Sequence, residues 1–121
     1  MNQSLPFRIF GGVSFLRAAL FLFMTERYLA SAGVTVTSDT FLLAQGVGVA
    51  TLSLGFIAWR IPDVAVDAIK PLGQLYGIAL AIYVAFLSYN TVVGDVGGAT
   101  IYIVLVVHIA LAAMFFINSK K

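Results

Sequence analysis

Two side chains in this sequence carry chemistry that their neighbours do not explain. Arg17 and His108 are lone polar groups, each set inside a long run of apolar residues. A guanidinium stays charged at every physiological pH and presents its N–H donors as a planar fork, which suits contact with a ligand or a lipid headgroup. An imidazole can donate, accept, or give a ring nitrogen to a metal, so His108 is a candidate axial ligand for haem iron or a chlorophyll magnesium. A six-coordinate haem needs a second ligand, for which Met24, Met114 or another subunit is available. Each residue also has a plainer reading: Arg17 as a snorkelling or locally hydrogen-bonded arginine, His108 as a packed histidine with its bonds satisfied.

The residue types that are missing narrow the chemistry. The chain has no cysteine, which excludes thiol redox work, iron–sulfur ligation and thiolate zinc sites. No Asp or Glu lies deep in an apolar run, so carboxylate-based proton exchange is disfavoured. One histidine without a placed carboxylate makes no catalytic triad, and no metal-spaced cluster is visible. The expectation is a protein that is not an enzyme.

The elements that must position Arg17 and His108 follow from composition and spacing. Of 121 residues, 61% are hydrophobic and 10% charged, with a mean hydropathy of +1.03. That balance leaves too little polar surface for a water-soluble domain of this size. Apolar runs of about 19 to 20 residues match the length a helix needs to cross about 30 Å of hydrocarbon. The sequence therefore predicts an all-α, integral membrane four-helix bundle. It forms a single transmembrane domain over 1–121, with helices at about 6–30, 40–59, 71–90 and 99–117. Short connections between the runs favour an up-down-up-down order. Pro6 and Pro71 suit first helical turns, Ser38 and Asp39 are cap candidates for the second helix, and Gly94, Gly97 and Gly98 interrupt the chain before the fourth.

Depth can be counted along these helices. At 1.5 Å per residue, Arg17 lies about 12 Å from the boundary near Ile9, and His108 about 13 Å from the opposite boundary near Ala99. The first and fourth helices of a cyclic bundle are neighbours, so the two side chains are placed to meet, with a neutral imidazole nitrogen accepting from the guanidinium. Gln74 and the loop holding Asp63 and Asp67 are alternative partners for Arg17. Gln45, Tyr76, Tyr83 and Asn90 are further polar points to which the sequence assigns no role.

Charge reports topology. Arg8, Arg60, Lys70, Lys120 and Lys121 gather on the side of the termini, whereas Arg27 alone flanks the other. By the positive-inside rule both termini are expected to be cytoplasmic. Seven basic residues spread around apolar runs make no nucleic-acid footprint.

Helices in lipid associate by close approach at small residues. The second run has Ala44, Gly48, Thr51 and Gly55 on one face, and the third has Gly73, Gly77, Ala81 and Ala85 at four-residue steps. These faces serve packing against each other or a neighbouring helix, or a seam for a homo-oligomer or other membrane subunits. Leu80, off the four-residue stripe, is expected to face lipid.

The stretch Leu43-Ala44-Gln45-Gly46 through Leu54-Gly55, then Trp59-Arg60-Ile61-Pro62-Asp63 and the start of the next helix around Ala68, resembles small, uncharacterised four-span membrane proteins of bacteria and archaea. The resemblance implies a prokaryotic plasma membrane and the same four-span layout. Function is expected to be that of a non-catalytic accessory or stabilising subunit of a larger membrane complex. The alternatives are a pigment-, haem- or quinone-binding subunit of a bioenergetic complex, with His108 and Arg17 as its cofactor-binding residues, and a small-solute transporter.

Overall fold

The computed structural model describes residues 2–120, so Lys121 lies outside the described residues. The first apolar run forms α1 (Leu5–Phe23) and a short continuation, α2 (Thr25–Ser31). The remaining runs form α3 (Ser38–Val64), α4 (Ile69–Val92) and α5 (Ala99–Ser119), with a 3-10 turn at Val66–Ala68 before α4. Four of these helices are long and apolar enough to span a membrane. In each span only 17 to 28% of the most apolar window is buried inside the protein. The uncovered faces carry Leu42, Phe56, Ile82, Ile103 and Val106. A bundle in water would place polar groups there, so these surfaces face lipid.

The helix limits correct the sequence reading in three places. The expected helix over 6–30 breaks at Met24, whose backbone turns to φ −128° and ψ 37°. The Thr25 hydroxyl donates to the Phe21 carbonyl there and competes with the helical ladder. The α1 span is thus 19 residues, about 28 Å long. Helix α3 starts and ends beyond 40–59. Its cap is Thr37, which forms a reciprocal capping box with Thr40, while Ser38 and Asp39 fall inside the first turn. Its far end passes through Pro62, which falls in the last turn, two residues before the helix stops at Val64.

The register of contacts gives the topology. Arg8 meets Asp63 and Gly11 meets Trp59, while Ser14 lies on Gly55 and Phe21 on Gly48, so α1 and α3 run antiparallel. Gly73 meets Ser119, Gly77 meets Phe116 and Tyr83 meets His108, so α4 and α5 do likewise. Phe7 and Phe10 reach Tyr76 on α4 as well as Phe115 on α5. The order is up-down-up-down, built as two close pairs, α1 with α3 and α4 with α5.

Glycine makes each pair close. A Cβ built on Gly55 would lie 2.7 Å from the Ser14 Cβ, one on Gly48 2.9 Å from the Phe21 Cβ, and one on Gly73 2.5 Å from the Ser119 Oγ. The two small-residue faces therefore do not face each other. Ala44, Gly48, Thr51 and Gly55 turn towards α1, and Gly73 and Gly77 towards α5. Ala81 and Ala85 leave this seam and are exposed, whereas Leu80 is buried at 5% exposure. Four-residue steps advance 400° on a helix of 3.6 residues per turn, so such a stripe rotates away from its partner. The buried line is Gly73, Gly77, Leu80 and Leu87, which alternates steps to stay on one side.

Between the pairs, Phe7, Ile61, Leu80, Leu111, Ala112 and Phe115 form the core, concentrated towards the end that holds the termini. At that end Arg8 pairs with Asp63 at 2.7 Å, donates to the Trp59 carbonyl and covers the Trp59 ring. Arg60 joins the same carboxylate at 3.2 Å. At the other end the loops are stitched: Gly97 donates to the Ala32 carbonyl at 3.0 Å, and Thr100 to the Ser31 hydroxyl at 2.9 Å. Gly98 sits at φ 87°, with Ser31 O 2.7 Å from where a Cβ would stand.

These contacts generate two predictions. Gly55→Val forces α1 and α3 apart and should cost about 1–3 kcal/mol, as overpacking does elsewhere. Ala85→Val adds its methyl groups to an exposed face and should change stability by no more than about 0.5 kcal/mol. Thermal unfolding of both variants in one detergent reads the difference, and equal midpoints would remove the close-approach account. For topology, exposed Asp67 lies at the end of the termini and exposed Asp95 at the other. In whole cells an impermeant maleimide should label Asp95→Cys and spare Asp67→Cys; the reverse would invert the orientation.

Candidate functional site

Arg17, Tyr83 and His108 come from three different helices and reach one layer of the bundle. Counted from the helix ends near the termini, at Leu5, Ile69 and Ser119, they stand at about 18, 21 and 17 Å. Arg17 Nη1 lies 3.2 Å from His108 Nε2, and Nη2 donates to the Tyr83 hydroxyl at 3.0 Å. The Tyr83 and His108 rings lie 4.9 Å apart. The guanidinium carbon stands 5.5 Å from the Tyr83 ring and 5.9 Å from that of Phe21, distances at which the ring quadrupoles favour a cation.

His108 is only 3% exposed, and its own helix decides its tautomer. Nδ1 lies 2.7 Å from the Val104 carbonyl, which can only accept, so Nδ1 carries the proton. Nε2 then presents a lone pair, and the guanidinium, which can only donate, takes it. Both ring nitrogens are engaged. A haem iron or a chlorophyll magnesium would have to displace Arg17 to reach Nε2. His108 and Arg17 thus meet as expected from their depths, but the arrangement is a hydrogen-bonded pair in which the imidazole's lone pair is already used.

Arg17 is not saturated by this arrangement. A guanidinium has five N–H groups, and the two hydrogen bonds above use two of them. Nε is buried and has no partner. Among the described residues its charge has no counter-ion either. Of the loop carboxylates offered as alternative partners, Asp63 is held by Arg8 and Arg60 and Asp67 is exposed, and Gln74 is exposed and takes no part. Tyr83 was legible as a polar point, and its place near the middle of the third apolar run is the signal that could have brought it to Arg17.

Two clefts flank the cluster. One, about 410 Å³, runs between α1, α2 and α5 from Arg17 and His108 to a rim of Arg27, Tyr28, Ser31 and Thr100. The other, about 590 Å³, lies between α1, α3 and α4, where Arg17, Tyr83 and His108 share its wall with Val47, Leu54 and Leu75. Both volumes fall in the range of small-molecule sites. Neither cleft is lined by an Asp or a Glu. Among the described residues no group of three His, Asp or Glu could hold a metal ion.

No family model, no curated protein and no solved structure matches the chain.

The pairing is open to a double-mutant cycle. His108→Leu leaves the guanidinium without one acceptor, and Arg17→Leu removes the charge. Replacing both should cost less than the sum of the single changes, by about 0.6 kcal/mol or more, since interhelical bonds in membranes average near that value and reach about 1.7. Unfolding of the four proteins in one detergent measures the coupling, and strictly additive losses would mean that the two residues are held independently.

Proposed function

We propose that this chain is a non-catalytic integral membrane protein that binds a lipid-soluble molecule through a hydrogen-bond-accepting head placed at Arg17. The observation that carries the reading is the guanidinium itself. It lies at the depth of the hydrocarbon, has no carboxylate beside it, retains unused N–H groups, and borders two apolar clefts that open towards lipid. A ligand carbonyl or acid group adds to those donors without breaking the bonds to His108 and Tyr83. The quinone class meets this requirement, since its head carries carbonyl acceptors and its tail suits apolar walls. A tetrapyrrole does not, because its metal needs the lone pair on His108 that Arg17 occupies.

The role of an accessory subunit draws no support from the small-residue faces. Gly48, Gly55, Gly73 and Gly77 are consumed by contacts inside the chain and offer no seam to a further subunit. Solute transport needs a polar route past Arg17, and the cleft walls on either side of it are largely apolar. The basic residues around the termini support a cytoplasmic placement of both ends in a prokaryotic plasma membrane.

Native mass spectrometry of the protein released from its own membrane tests the reading. The wild type should carry a small-molecule adduct that Arg17→Leu loses and Tyr83→Phe weakens. A bare protein under all release conditions would count against it. A visible chromophore lost in His108→Leu but kept in Arg17→Leu would replace it with metal-centred cofactor binding.

A further inference from the structure

We propose that the cleft between α1, α2 and α5 takes a long-chain carboxylate, with its acid group on Arg17. This rests on the reading of Arg17 as a ligand-binding group and names its ligand. The argument is charge complementarity. Arg17 and Arg27 both line this one cleft, Arg17 at its floor and Arg27 at its rim, and no acidic side chain lines it. Glu26, next to Arg27 in sequence, does not line it but lines a neighbouring recess beside Phe41 that Arg27 also borders. His108, which borders the floor, is the cleft's other titratable group besides Tyr28, and its Nε2 faces Arg17. A carboxylate bound in this cleft therefore meets two arginines and no acidic side chain in its lining.

The class of anion follows from shape and depth. Nε of Arg17 is buried, so a carboxylate's oxygens would take the remaining N–H groups on the two terminal nitrogens of this side chain, which lines the cleft. A neutral quinone accepts hydrogen bonds but leaves the charge uncompensated. A phospholipid phosphate carries a headgroup on one side and two chains on the other, and it stays at headgroup level. Arg17 stands about 18 Å along α1 from Leu5. An unsubstituted acid on a single chain can descend to that depth. Leu16, Leu20 and Val107 offer its chain an apolar wall, and Arg27 at the rim attracts the anion from the interface.

The test is saturable binding of radiolabelled oleate to the purified full-length chain in phosphatidylcholine nanodiscs. Oleate should bind to one site, and unlabelled oleyl alcohol, with the same chain and no charge, should fail to compete. Arg17→Gln should weaken binding by about tenfold or more and Arg27→Gln by about two- to threefold, as expected for a buried and an exposed charge. Because Arg17→Gln disturbs the bundle as well, two variants on exposed positions separate the clefts. Leu16→Trp fills the proposed site and should abolish binding; Val47→Trp fills the cleft beside α3 and should leave it unchanged. Oleate binding that survives Leu16→Trp overturns the proposal. Competition by phosphatidylglycerol as strong as by oleate overturns it in favour of lipid phosphate. If a short-chain quinone binds in an Arg17-dependent way and oleate does not, this proposal fails while the binding function stands. If neither binds, both fail.

Discussion

The structure is organised around one unbalanced charge. An arginine at the centre of a membrane helix costs about 2.5 to 3.5 kcal/mol on insertion scales, and here no carboxylate offsets it. The chain instead surrounds Arg17 with neutral acceptors from two other helices, His108 on α5 and Tyr83 on α4, and with the faces of two aromatic rings. This arrangement links α1 to the α4–α5 pair, which α1 otherwise meets mainly through aromatic contacts near the termini. The guanidinium is therefore both a tie between the two halves and the group with bonds to spare.

The way the halves are built explains why space remains beside that tie. Lipid gives no hydrophobic push between helices, so close approach must come from small residues. Glycines serve two seams only, α1 against α3 and α4 against α5. Across the remaining sides the bundle relies on Phe7, Phe10, Tyr76 and Phe115, whose edge-to-face contacts fill the half near the termini. No comparable cluster fills the half beyond Arg17. The cleft between α1, α2 and α5 lies where neither glycine nor that aromatic cluster closes the gap, and the cleft between α1, α3 and α4 begins at the cluster's edge, beside Phe10 and Tyr76.

Much of this was legible in the sequence, for physical reasons that also mark the limits. Span number, order and the meeting of Arg17 with His108 follow from the constant rise of a helix and the fixed thickness of a bilayer, because both convert residue number into depth. The break at Met24 was hidden because it depends on a hydroxyl of Thr25 bonding back to Phe21; the polar run Thr25-Glu26-Arg27 marks where the apolar span ends but not that the helix is interrupted. Ala81 and Ala85 were misplaced because a stripe at exact four-residue steps looks continuous in sequence but winds round the helix. Leu80 took their place in the seam. Tyr83 lies nearer mid-span than Tyr76, yet tyrosines recur in membrane helices, and only the hydrogen bond from Arg17 to its hydroxyl assigns it to the cluster.

The tautomer of His108 connects these features to function. Val104 is four residues before His108 on α5, so its carbonyl is placed by the helix to fix the proton on Nδ1. A histidine so held is a neutral acceptor, and a neutral acceptor orients the guanidinium without cancelling its charge. A carboxylate in the same place would have bound Arg17 as tightly and extinguished its field towards the clefts. The choice of histidine and tyrosine over aspartate or glutamate thus keeps a positive potential in the middle of an apolar bundle, at a cost in stability that a purely structural tie would not require. That cost is the physical reason to read the Arg17 cluster as a site for an acceptor brought in from the membrane.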